Sequence, residues 1–219
     1  MDRLCSILVR ISTPQTMIGH NAKGCLPGLV YKKEGNMPRV KLIAEKSDVG
    51  ADQHAEIDAI VETLGRVAGP FGVLAYSPGL AQKVMEAGAH VRLKSSITMA
   101  ERELTILAVS REKDARYEWA SHINTARNND LPEEAIEAVR NSADVSGLAE
   151  DYRDIVTYVR QLLQTNKVEQ ALFDSMIKRK GTRWLVEITG TIGQYQYISA
   201  INNAFDLQPS ADADQLEVK

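Results

Sequence analysis

The chain reads as an all-α protein, a multi-helix bundle of about eight helices. Three observations predict it. Apolar residues recur at helical three- and four-residue spacing in segment after segment. Helix starts and stops are marked by capping residues, prolines and glycines. No stretch alternates apolar and polar residues well enough to read as a strand.

The elements follow in order. From Gln53 to Val67, residues Ile57, Ile60, Val61 and Leu64 share a helical stripe, which Gly69-Pro70 breaks. Ser77 followed by Pro78 opens a helix to about Leu93, with Leu80, Val84 and Ala87 packed. His90 lies near its end, where a partly exposed histidine is favourable. Thr98 and Glu101 make a capping box for a helix from Met99 to about Arg111. Its stripe is Leu104, Leu107 and Ala108, with Glu103 in line with Leu107. Asp114 is the expected N-cap of the next helix, which carries Trp119, Ile123 and Ala126 and reaches about Asn128. After a turn at Asn129 to Pro132, Ile136 and Val139 face inward on a short helix. Tyr152, Ile155, Val156, Val159, Leu162 and Leu163 mark a long helix, and Val168 to Lys180 is another, ended by Gly181. Thr182 is the expected cap of a last helix to Phe205, which carries Gln194, Tyr195 and Asn202 among apolar neighbours.

Three regions follow from composition. Residues 1–36 form a poorly specified N-terminal extension with both cysteines, Cys5 and Cys25, and five basic residues against two acidic ones. Such a balance also fits a mitochondrial presequence, although no amphipathic Arg-rich helix is evident. Residues 37–207 form the helical domain. The polar tail 208–219 is expected to be disordered.

The 219 residues are 44% hydrophobic and 25% charged, enough to bury a core without disulfide or metal support. A formal net charge of −3 gives no reason to expect nucleic acid. No run approaches the roughly 18 apolar residues of a membrane helix. Two distant cysteines suit a reducing, cytoplasmic compartment. His20, His54, His90 and His122 make no metal-ligand spacing, and no GxGxxG or GxxxxGK[ST] phosphate loop occurs. Neither cofactor nor metal is therefore expected.

Glu118 and His122, four apart, share one helix face. If their helix packs as a hairpin on the preceding one, Glu103 joins them. Two carboxylates and an imidazole suit proton transfer, because burial and mutual interaction push their pKa values apart. The plain alternative is a solvated ion pair worth a few tenths of a kcal/mol. Tyr195 and Asn202 are the candidate substrate contacts on the last helix. Trp119 is counted with them, although its place in the apolar stripe also suits packing.

The segment RELTILAVSREKDARYEWASHINTARNNDLPEEAIEAVR, Arg102 to Arg140, resembles the carboxymuconolactone decarboxylase superfamily, which includes the alkyl hydroperoxidase D-like proteins. The MPRVKLI phrase from Met37 and the SPGL helix start resemble its longer members. The resemblance implies an all-α bundle of the alkyl hydroperoxidase D-like type. Redox members carry CxxCxxxH, and counting back from His122 puts the two thiol positions at Ala115 and Glu118. Both thiols are absent, while the family's histidine and relay glutamate match His122 and Glu103. The resemblance thus implies the thiol-independent side: a cofactor-independent lyase that decarboxylates or isomerises a small carboxylated or enolisable molecule. Glu103, Glu118 and His122 would be catalytic, with Arg102, Arg116 or Arg183 holding a substrate carboxylate. The alternatives are a peroxidase-type oxidoreductase working without the CxxC, or a non-catalytic member. A homo-oligomer, dimer or trimer-based, is implied as well.

Overall fold

The computed structural model of the chain describes residues 37–218. The N-terminal extension, with Cys5 and Cys25, lies outside the described residues. Those described form nine α-helices and no strand: α1 (His54–Leu64), α2 (Pro70–Leu74), α3 (Pro78–Leu93), α4 (Met99–Glu112), α5 (Arg116–Asn128), α6 (Glu133–Arg140), α7 (Glu150–Thr165), α8 (Gln170–Lys180) and α9 (Thr182–Ala204).

Helix α4 is the axle. Its capping box forms as the sequence predicts: the Glu101 amide donates to Thr98 Oγ1 at 3.2 Å, and the Thr98 amide donates to Glu101 Oε2 at 2.8 Å. Packed by α5, α6, α7 and α9, it buries every residue from Glu101 to Arg111. Its sequence shows only a narrow apolar stripe, so the burial includes charges, and each charge needs a partner. Glu101 accepts from Lys180 Nζ at 3.0 Å and from the Trp184 indole at 3.2 Å. Arg111 donates to Asp114 Oδ1 at 2.6 Å and to the Glu217 carbonyl at 2.6 Å.

Two apolar clusters make up the core of the described residues. One gathers α4 to α9 around Leu104, Leu107, Trp119, Ile123, Ile155 and Ile188. The other joins α1, α2 and α3 through Ile57, Ile60, Leu74, Val84 and Met85, and reaches α9 at Ile198. The segment after Met37 ties in at both ends. The Arg39 amide donates to the Phe205 carbonyl at 2.9 Å, and the Ile43 amide donates to that of Gly72 at 2.9 Å.

Several local expectations shift. Pro70 begins a short helix where the sequence reads only a break. On α3 the buried face is Ala81, Val84 and Met85, whereas Leu80 is exposed, so the helix is rotated from the expected stripe. On α1, Val61 is also exposed. Asp114 does not cap α5; Ala115 does, while Asp114 sits at φ 48 and turns its carboxylate to Arg111. At the start of α9 the cap is Gly181 at φ 87, a value that favours glycine, and Thr182 is the first helical residue.

The largest departure is the tail. Expected to be disordered, residues 208–218 instead pack against the bundle. Leu216 is 1% exposed within the main apolar cluster. Asp214 accepts from Arg140 Nη1 at 2.8 Å, from Arg127 Nη1 at 2.9 Å and from the Trp119 indole at 3.3 Å. These partners are 74 to 95 residues away, so local polarity could not reveal them. Leu216→Ala should therefore cost about 2–4 kcal/mol of stability, as for other buried leucines. Urea denaturation measures it, and an unchanged midpoint would mean that the tail is only loosely attached.

Candidate active site

The site is assembled from three helices. α4 contributes Glu103, α5 contributes Glu118 and His122 one turn apart, and α9 contributes Tyr195 and Asn202. His122 lies between the two carboxylates. Its Nδ1 is 2.7 Å from Glu103 Oε2, and its Nε2 is 3.4 Å from Glu118 Oε2. The side chains of Glu103, Glu118 and His122 are 2%, 5% and 15% exposed, so this is not a solvated surface pair. Burial on its own would drive the imidazole neutral. The hydrogen bonds and charges of the two glutamates outweigh burial and push the His122 pKa up to about 9. Burial likewise opposes ionisation of Glu103, but His122 and then Arg102 hold its carboxyl below the usual range. At neutral pH the array is an imidazolium between carboxylates.

Each member is held from behind. Arg102 Nε and Nη2 donate to Glu103 Oε1 at 3.1 and 3.0 Å, while its Nη1 donates to the Arg92 carbonyl at 2.6 Å. Asn202 Nδ2 donates to Glu118 Oε1 at 2.8 Å. The edge of the Tyr195 ring meets His122 at 5.2 Å between centroids and 88° between planes. Burial, then the charge of Glu118, raises the Tyr195 pKa, so its phenol stays protonated and able to donate. Among the described residues that hydroxyl has no hydrogen-bond partner.

A cavity of about 360 Å³ opens beside this array at the seam between the two apolar clusters. Glu118, His122 and Tyr195 line one wall; Phe71, Met85 and Ile198 make the apolar part; Arg66, Arg92, Tyr117, Ser121 and Gln194 supply further polar groups. Gly69 shapes the wall at φ 56, where a Cβ would lie 2.5 Å from the Tyr117 hydroxyl. No larger residue fits there without displacing that ring. The three titratable groups do not converge on one point: the imidazole lies between the carboxylates, with Nδ1 hydrogen-bonded to Glu103 and Nε2 in a looser ion-pair contact with Glu118 at 3.4 Å. Among the described residues, no three His, Cys, Asp or Glu side chains are placed to hold a metal.

The structure brings Glu103, Glu118, His122 and Tyr195 together. Asn202 does not line the cavity; it sits behind Glu118 as a positioning residue. Trp119 is a correction. One residue along a helix turns the side chain by about 100°, so the neighbour of Glu118 points away from the cavity. Its indole is 0% exposed, bonds Asp214 and lies 4.7 Å from the Arg140 guanidinium. Arg102, Arg116 and Arg183 do not line the cavity either. Arg102 is buried on Glu103, and Arg183 is exposed on Glu187. Ser121, three residues after Glu118, could have been found from helical spacing. Arg66 and Arg92 could not, because α1 and α3 reach the site only through tertiary packing.

Residues 78–160 match the model of the carboxymuconolactone decarboxylase family, a span that contains Glu103, Glu118 and His122. No curated protein sequence matches the chain. Among solved structures, a peroxidase-related protein of Ralstonia eutropha JMP134, described as an alkylhydroperoxidase AhpD core, superposes with a TM-score of 0.66 at 16% identity. The alignment covers 82% of this chain and 95% of that one. A peroxidase-related protein of Silicibacter sp. TM1040 gives 0.65 at 16% identity, covering 85% and 100%. The debrominase Bmp8, solved with 2,3,4-tribromopyrrole, gives 0.57 at 15% identity, covering 78% and 92%. At these identities the likeness establishes the shared fold.

The charge array has a measurable signature. In an NMR titration His122 should titrate near 9 rather than near 6.5. Glu103→Gln should lower that midpoint by about one unit or more, because a partner of the imidazolium loses its charge. The folded pKa is raised, so the stability this group contributes is complete below about 6.5 and is lost as pH rises through about 9. A midpoint that stays at 6.5 would mean that the carboxylates do not govern the ring.

Proposed function

We propose that this chain, whose residues 78–160 match the carboxymuconolactone decarboxylase family, is a cofactor-independent acid–base lyase or isomerase. Its substrate would be a small carboxylated or enolisable molecule. The observation that carries this reading is the imidazolium of His122, buried between Glu103 and Glu118 and lining a cavity beside the Tyr195 phenol.

The chemistry follows from the protonation states. His122 rests protonated at neutral pH, so it is the acid of the site. Glu118 is the base that lines the cavity, and Glu103 orients the ring and keeps its charge. In decarboxylation the bond between carbon and carboxylate breaks heterolytically, carbon dioxide leaves, and the electron pair moves into a conjugated carbonyl. The resulting enolate oxygen is stabilised by donation from the Tyr195 hydroxyl, and His122 Nε2 supplies the proton to carbon. Solvent then reprotonates the imidazole. In isomerisation Glu118 first removes a proton next to the carbonyl, the same donors hold the enolate, and Glu118 then returns the proton at the other end of the conjugated system.

This route uses no sulfur, and the thiol positions of the redox members fall on Ala115 and Glu118. The test is proton exchange and carbon dioxide release with a panel of β-keto and vinylogous acids in deuterated water. His122→Ala should lower turnover by on the order of 10²- to 10⁴-fold, as for other general acids. Glu118→Gln should lower turnover while the protein remains folded, because the amide can still hydrogen-bond Asn202. The double variant Cys5→Ser with Cys25→Ser should retain full activity. Loss of activity in that thiol-free variant, with peroxide reduction by the parent, would replace this reading by a thiol peroxidase.

A further inference from the structure

Counting the charges around the cavity shows an imbalance. Deep in the wall, Arg102 and His122 carry two positive charges and Glu103 and Glu118 two negative ones, and these pair with each other. The lining then adds Arg66 and Arg92, with no carboxylate other than Glu118. Among the described residues neither guanidinium makes a salt bridge or a side-chain hydrogen bond. Both are exposed, Arg66 two residues beyond α1 and Arg92 in the last turn of α3, so they stand at the mouth rather than in the depth. Each is near enough to a lining phenol to favour its ionised form, Arg66 acting on Tyr117 and Arg92 on Tyr195. The lining also includes the apolar side chains of Phe71, Met85 and Ile198.

We propose that Arg66 and Arg92 are the specificity-determining residues of the cavity, and that its ligand is a small organic acid. The carboxylate is held at the mouth by the two guanidinium groups, the apolar body lies against Phe71, Met85 and Ile198, and the far end reaches His122 and Tyr195. Guanidinium groups suit this task because their planar fork matches a carboxylate. The anchored carboxylate is not one that reacts: two cations on a leaving carboxylate would stabilise the ground state and slow the loss of carbon dioxide. The acid therefore carries its enolisable or cleavable carbon at the opposite end. Arg102 links the two ends, since it binds the Arg92 carbonyl with one nitrogen and Glu103 with the others. The reacting end of this assignment rests on the acid–base reading above, whereas the anion clamp can be measured without turnover.

The experiment is calorimetric titration of the full chain at low salt with three isosteric probes: 4-methylbenzoate, 4-methylbenzamide and 4-methylbenzylamine. The benzoate should bind, at least about tenfold more tightly than the amide, and the amine should not bind. Arg66→Gln and Arg92→Gln should each weaken the benzoate about tenfold while leaving the thermal midpoint of the free protein unchanged, since both side chains are exposed. His122→Ala should keep benzoate affinity within a few-fold, whatever it does to turnover. Equal binding of benzoate and amide, or no benzoate binding at millimolar concentration, would overturn the proposal. So would a benzoate site abolished by His122→Ala and indifferent to both arginine variants. If the arginine results hold while proton exchange is absent, the clamp stands and the acid–base reading falls.

Discussion

The ion pair between Glu103 and His122 is the contact on which the arrangement of this protein turns. A carboxylate 2% exposed in the middle of a bundle is costly unless it is paired and hydrogen-bonded. Glu103 has both, from the imidazole on α5 and the guanidinium of Arg102 beside it. That requirement fixes the rotation of α5 against α4. It also explains why α4 can be surrounded on all sides although its sequence is not apolar all round. Glu101, Arg102 and Arg111 are treated alike, each buried and each matched by a group on another element.

The same pairing gives the site its chemical character. An imidazole in an apolar wall would lose its proton, and an isolated carboxylate there would gain one. Placed together they keep the charges that each would give up alone. The result is a proton donor that is charged at neutral pH yet stands at the edge of a largely apolar cavity. Tyr195, with its phenol kept protonated, adds a second donor at the same wall. Neither group needs an external charge to reach this state, since the array balances itself.

Position in the bundle decides what surrounds these donors. The cavity lies at the seam where the cluster of α1, α2 and α3 meets that of α4 to α9. One side supplies the acid–base groups, and the other supplies apolar lining and the exposed arginines. On the opposite side of α5 the tail closes the packing, with Leu216 in the core and Asp214 bound by Arg127, Arg140 and Trp119. Successive residues on α5 therefore serve different ends: Glu118 faces the cavity and Trp119 the tail.

The sequence by itself determined the helical class, the course of eight of the nine described helices and the placing of Glu118 and His122 on one helix face. All of these depend on local periodicity, caps and four-residue spacing, which are properties of short segments. Tertiary structure alone decided that the pair is buried, that Asn202 stands behind Glu118 and that Trp119 belongs to the core. It also decided that Arg66 and Arg92 border the cavity and that the polar tail is docked. Each of these depends on which residues, often 70 or more positions apart, come to share a wall, as Asn202 and Glu118 do across 84 residues. The direction of a helical side chain follows from its own neighbours, but its surroundings are set by how the helices pack, which no single helix carries in its pattern.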